Sequence, residues 1–115
     1  MNYTYMKFPG FKSKALTLSY DDGTVHDVKL VEIMKKYGIK GTFNINSGMF
    51  GDKSGSVRLT AEECKALYIP AGMEVAVHGY KHLSLAELDD TLKVMDVIRD
   101  RENLENIFGT IITGM

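Results

Sequence analysis

Two short stretches of this chain carry groups able to run hydrolytic chemistry. Asp21 and Asp22 are adjacent and followed by Gly23, and His78 and His82 are separated by the three residues Gly79, Tyr80 and Lys81. Consecutive side chains diverge at a strand end, so one carboxylate of the pair can ligate a cation while its neighbour faces a bound water as a base. Asp-Asp-Gly is also ordinary turn chemistry, and a short His-x-x-x-His match by itself carries a high false-positive risk. The combination is more informative than either part. Of the 3 histidines in the chain, two sit at ligand spacing. Two imidazoles and one carboxylate leave positions open on a divalent ion, which is the pattern of a hydrolytic site rather than of a closed structural one. Such nitrogen and oxygen donors suit Zn2+, with Co2+, Ni2+, Mn2+ and Fe2+ also compatible.

The elements that must position these groups alternate in type. Residues 14–20 alternate Leu16, Leu18 and Tyr20 with Ala15, Thr17 and Ser19, the period of a strand, and Asp21-Asp22-Gly23 breaks it. Residues 26–37 read as a helix with Leu30, Val31, Met34 and Tyr37 on its apolar face and Gly38 as C-cap. Residues 41–46 form a second strand, and the glycine-bearing stretch 47–58 reads as a loop. Thr60 and Glu63 make a capping-box pattern for a second helix, which runs to about residue 68 and is closed by Pro70. Residues 73–77 are the third strand. A long helix is expected over 84–107, opened by Ser84 and Glu87, with Leu85, Leu88, Leu92, Met95 and Ile98 as its buried stripe and Leu104 and Phe108 resuming it. Residues 110–113 begin a fourth strand. Strands separated by helices predict an α/β fold with a parallel sheet and helical crossovers, whose ligand site lies at the carboxyl ends of the strands. Asp21, Asp22, Asn46, Ser47, His78 and His82 all fall on that rim.

Other residues read more plainly. His26 is a solvated helix-entry residue rather than a ligand, and Cys64 a buried inert thiol. Tyr80 can stack on a sugar ring, and with Asn46 it is expected to face substrate. The chain has 115 residues, enough for one domain. Its 14 Lys and Arg against 15 Asp and Glu leave a net charge of −1, without the basic footprint of a nucleic-acid partner. No apolar run approaches the ~18 residues of a membrane span. The single cysteine excludes an internal disulfide and a cysteine-based zinc site. The start lacks the charged-then-apolar order of a signal peptide. Composition does not choose between cytoplasm and cell envelope.

The motifs resemble a known family. Residues 15–23, Ala-Leu-Thr-Leu-Ser-Tyr-Asp-Asp-Gly, look like the first motif of the polysaccharide deacetylases, the NodB-homology domain, which usually reads Thr-Phe-Asp-Asp-Gly. Residues 41–46 resemble the family's second strand, and residues 72–82, ending His-Gly-Tyr-Lys-His, resemble its His-Ser/Thr-x-x-His motif. The resemblance implies Asp21 as catalytic base and Asp22, His78 and His82 as metal ligands. The implied reaction is hydrolysis of an N-acetyl or O-acetyl group on a carbohydrate polymer. The implied fold is a distorted (β/α) barrel, of which residues 1–115 form one partial domain. The family's later motifs, including an Arg/Tyr-x-Pro-Tyr-type segment and the general-acid histidine, would follow Met115, so little activity is expected of this portion alone. An incomplete barrel exposes sheet edges and an apolar face, and self-association is expected from that. Two other readings remain open: a non-catalytic metal- or glycan-binding fragment, and an amidohydrolase acting on a small cyclic amide.

Overall fold

The computed structural model describes residues 7–115. Among them, three parallel strands lie in the order of the sequence: β1 (Ser19–Asp21), β2 (Thr42–Ile45) and β3 (Glu74–Val77). Tyr20 pairs with Phe43, and Phe43 in turn with Val75, so each strand delivers its last residue to one rim. Helix α1 (Asp27–Lys36) joins β1 to β2, α2 (Ala61–Ala71) precedes β3, and α3 (Asp90–Phe108) follows it. This is the α/β parallel arrangement expected from the sequence. No helix among the described residues is long and apolar enough to cross a membrane.

The core lies between the sheet and its helices. Val31 and Met34 of α1, Phe43 and Ile45 of β2, Cys64 and Tyr68 of α2, and Leu104 of α3 are all at most 2% exposed. Tyr20, Phe43 and Tyr68 stack in a row, with ring centroids 5.7 and 4.6 Å apart. Tyr37, assigned to the apolar face of the first helix, instead lies exposed beside the Lys36 ammonium.

Several element bounds differ from the sequence reading, each for a physical reason. Of the first expected strand only Ser19 and Tyr20 form a ladder, which runs one residue further to Asp21, because the partner strand begins at Thr42 opposite Ser19; Leu16 is exposed. The Thr60–Glu63 capping box is present, with both reciprocal bonds made. Pro70, however, does not end α2. It sits in the last turn, where it forfeits one backbone bond, and the helix closes two residues later on Gly72 in the left-handed region.

The third helix starts later than expected. Ser84 makes no capping bond; Leu85–Glu87 form a 3-10 turn, and Asp89 caps α3 by accepting from the Leu92 amide at 3.0 Å. Its stripe is also rotated. Leu92, Met95 and Ile98 are 53%, 56% and 45% exposed, and Asp96, Asp100, Leu104 and Phe108 face inward at four-residue spacing. The expected fourth strand forms no ladder among the described residues. Its segment runs beside β3, with the Val77 amide donating to the Gly114 carbonyl and the Ile112 amide to Glu105 Oε1.

Candidate metal centre at the strand ends

The rim begins where β1 stops. Asp22 and Gly23 both take positive φ, 81° and 66°, which turns the chain sharply off the strand. A Cβ on Gly23 would lie 2.9 Å from Ile45 Cδ1 and would press that side chain aside, and the left-handed backbone favours glycine there in any case. The turn is fixed from both sides: the Asp22 amide donates to the Asn44 carbonyl and the Leu59 amide to the Gly23 carbonyl, each at 2.9 Å. Two strands over, His78 follows β3 directly, and Gly79 at φ 82° bends the chain so that His82, itself at φ 55°, returns its ring to His78. The two imidazoles meet edge to face with centroids 5.2 Å apart. Non-glycine residues in the left-handed region cost roughly 1–2 kcal/mol each. Strain of this kind at Asp22 and His82 is concentrated where side chains converge.

Asp22, His78 and His82 place one donor atom each within 4.8 Å of one another. Asp22 Oδ1 lies 3.3 Å from His82 Nε2 and 3.6 Å from His78 Nε2. A tetrahedral ion with ligands at ~2.0–2.2 Å separates its donors by roughly 3.3–3.6 Å. Asp22 Oδ1 is buried and accepts no hydrogen bond. The Arg58 guanidinium comes within 3.1 Å of it, close enough for charge attraction but not aligned as a donor. A buried carboxylate oxygen left without a donor is costly. Its position against two imidazole nitrogens, and the mixed nitrogen and oxygen donor set, fit a divalent cation.

Asp21 stands apart from this cluster. It is exposed, and its Oδ1 accepts from Asn44 Nδ2 at 2.8 Å, which orients the carboxylate along the rim. Tyr80 is half-buried between the two histidines in sequence. Its ring borders a groove of about 260 Å3 with Leu83, Leu92 and Met95, and the Arg99 guanidinium carbon lies 4.1 Å from the ring centroid. Asn46, expected at the substrate surface, is 1% exposed and sits behind the rim instead. Its Nδ2 donates to the carbonyls of His78 and Gly79 at 2.6 and 2.8 Å, and its Oδ1 accepts from Arg58 Nη1 at 3.0 Å. With every amide atom engaged inside the protein, it acts as a bracket between two loops. His26 is exposed at the entry to α1 and is not among the clustered donors, and Cys64 is fully buried.

Three residues that sequence reasoning passed over complete the surroundings. Arg58 Nη1 also donates to the Asp22 carbonyl at 2.6 Å, tying the loop before α2 to the turn after β1. Asp96 and Asp100 accept from backbone amides of the histidine loop. Burial pushes the Asp100 carboxyl above the ordinary carboxylate range, and the bonds it receives from Ser47 and from the His78 amide partly oppose that. The sequence signal for this pair was the four-residue spacing of Asp96 and Asp100 with Leu104 and Phe108.

The polysaccharide deacetylase family profile matches residues 9–115. The chain belongs to the polysaccharide deacetylase family. Within that family, it is 30% identical over 100 residues to a chitin deacetylase of Arthroderma benhamiae, a match that spans 86% of this chain and 24% of that protein. Among solved structures, the Streptococcus pyogenes deacetylase PplD in complex with acetate superposes with a TM-score of 0.79 at 20% identity, over 92% of this chain and 46% of that one. A family 4 carbohydrate esterase from Streptomyces lividans, also in complex with acetate, gives 0.68 at 19% identity, over 87% and 48%. The chain thus spans about half the length of these two solved proteins and about a quarter of the chitin deacetylase. Its three-stranded sheet and helices correspond to part of their β/α architecture.

Proposed function

We propose that this chain carries the metal-binding and base-bearing portion of a metal-dependent hydrolase that removes N- or O-acetyl groups from a carbohydrate polymer. The observation that carries the reading is the buried, donorless Asp22 Oδ1 facing His78 Nε2 and His82 Nε2. In this reading Asp22, His78 and His82 hold a divalent ion, Zn2+ first among those their chemistry suits. When bound, the ion supplies polarisation of the acetyl carbonyl and a bound water of lowered pKa. Asp21 takes the proton of the attacking water on its carboxylate, which Asn44 keeps aimed along the rim. A carbon–oxygen bond forms to the water oxygen, the bond from the acetyl carbon to the sugar nitrogen or oxygen breaks, that atom takes up the proton Asp21 removed from water, and the acetyl group departs as acetate with its remaining proton passing to solvent. Tyr80, beside the histidines, offers its ring as a surface for the sugar.

The test is acetate release from acetylated chito-oligosaccharides by the chain with and without added divalent metal. Slow, metal-dependent release that disappears in Asp21→Ala supports the reading. Metal binding with no release in any condition would leave a non-catalytic metal-binding role. Release from small cyclic amides alone would redirect the substrate assignment. Residues 1–115 form a single partial domain of that hydrolase in this reading. Self-association is part of it too, supported by the exposed Leu92, Val94, Met95 and Ile98 on α3; a clean monomer in sedimentation at micromolar concentration would remove that element.

A further inference from the structure

We propose that Asp96 and Asp100 of α3 are the positioning residues of the metal centre: two buried carboxylates that hold the backbone of residues 78–80 so that His78 and His82 converge on Asp22. The inference rests on the reading that these three side chains share a divalent ion.

The two aspartates lie one helical turn apart and therefore on one face of α3. They are 9% and 0% exposed. Asp100 Oδ2 accepts from the His78 amide at 3.0 Å, and one turn earlier Asp96 Oδ2 accepts from the Tyr80 amide at 2.9 Å. The rise of the helix thus matches the two-residue step of the loop. Between the two bonds lies Gly79, where a Cβ would stand 2.8 Å from Asp96 Oδ2; the absence of a side chain lets α3 approach the backbone this closely. Asp100 Oδ1 accepts from both the amide and the hydroxyl of Ser47, at 2.7 and 2.5 Å, so the same carboxylate also anchors the end of β2.

The opposite side of the loop is held as completely. Asn46 donates to the carbonyls of His78 and Gly79, and the Gly48 amide donates to the Tyr80 carbonyl at 3.0 Å. Two amides and three carbonyls of residues 78–80 are therefore bonded to α3 or to the segment after β2. A loop fixed at this density can sustain the left-handed backbone of His82, which would otherwise relax and carry its ring away.

The cost of the arrangement points the same way. No cation is paired with either buried carboxylate among the described residues. Charged groups in such positions are tolerated only when fully hydrogen-bonded, and apolar residues of similar volume often serve stability as well or better. Leu104 and Phe108 pack the same face further along α3 with apolar side chains. Packing alone would be met by the same residue types at 96 and 100; holding backbone amides would not.

The experiment compares Zn2+ affinity by chelator competition and the visible absorption of the Co2+-loaded chain in the wild type, Asp100→Asn, Asp96→Asn, His78→Ala and Ile107→Ala. Ile107 packs against the core from the same helix, seven residues beyond Asp100, and serves as the control for helix packing. An asparagine keeps one acceptor oxygen but presents an NH2 group to amide donors. Asp100→Asn is expected to weaken Zn2+ binding by about 10–100-fold and to change the Co2+ spectrum, as loss of a partner behind a ligand does elsewhere. Asp96→Asn should do the same to a smaller degree. Ile107→Ala should lower the melting temperature and leave both metal readouts unchanged, and His78→Ala should abolish binding. Unchanged affinity and spectrum in both aspartate variants would overturn the positioning role. If Asp100→Asn does not fold, Asp96→Asn decides on the same two readouts. A wild type that binds no metal would instead sink the metal-centre reading itself.

Discussion

The Tyr68 hydroxyl donates to Asp27 Oδ2 at 2.6 Å, joining the middle of α2 to the first turn of α1 beneath the turn that carries Asp22. Both residues are buried. Tyr68→Phe would leave the carboxylate without this donor, and unfolding in denaturant should show a loss of about 1–3 kcal/mol. Near-wild-type stability in that variant would mean the bond contributes nothing.

Burial pushes the Asp27 carboxyl above its ordinary value of 3.8, with the Tyr68 bond partly opposing. A carboxyl whose folded-state pKa is raised binds its proton more tightly in the fold than in the unfolded chain. Its stabilising contribution is complete below 3.8 and is lost as pH rises through the raised value. The stability of the wild type relative to Asp27→Asn should therefore fall with rising pH in the window above 3.8 and then level off. Denaturant titrations across that window measure it, and a difference that increased with pH would contradict it.

Asp21 and Asp22 are neighbours in sequence but have separate partners, Asn44 for one and the histidines for the other. Calorimetry should find divalent-metal binding abolished in Asp22→Ala and His78→Ala and largely retained in Asp21→Ala. Equal damage from the two aspartate substitutions would reverse the division of tasks.

Arg58 bridges the Asp22 carbonyl and Asn46 Oδ1 through one nitrogen and approaches Asp22 Oδ1 with another. Arg58→Lys keeps the charge and loses the planar fork. Zn2+ affinity in this variant should fall on the order of 10-fold, because the Asp22 turn is no longer pinned. An unchanged affinity would show that the charge at position 58 suffices.

The Cys64 thiol is fully buried, and burial raises its pKa to about 12. A thiol in this state offers almost no thiolate near neutral pH. Labelling by a thiol reagent at pH 8 should proceed only as fast as the chain opens, and should speed up steeply in denaturant. Immediate stoichiometric labelling of the folded chain would refute the burial.

The sequence made the alternation of strands and helices legible because β2 alternates Phe43 and Ile45 with polar residues, β3 carries the apolar run Val75 to Val77, and α2 begins with a capping box whose two bonds both form. It placed Asp22, His78 and His82 on one rim because parallel strands align their carboxyl ends, and the three donors do lie together. The inward face of α3 escaped the same reasoning. Hydrophobic periodicity marks the buried side of a helix only when burial is apolar, and at Asp96 and Asp100 the burial is of carboxylates that meet backbone amides. Asn46 reads as a surface residue because polar residues at strand ends usually reach solvent, whereas here its partners are carbonyls at the end of the neighbouring strand. Arg58 lay in a loop whose path no local pattern specifies.

The carboxylates of α3 grip main-chain amides at positions 78 and 80 and leave the side chains there out of the grip. The frame and the chemistry are thereby decoupled. Exchanging an imidazole for a carboxylate or a thiolate at 78 alters what the rim can capture without disturbing what suspends it. In this chain a substitution at 78 should therefore change what the rim captures while Gly79 and the two aspartates keep its backbone in place.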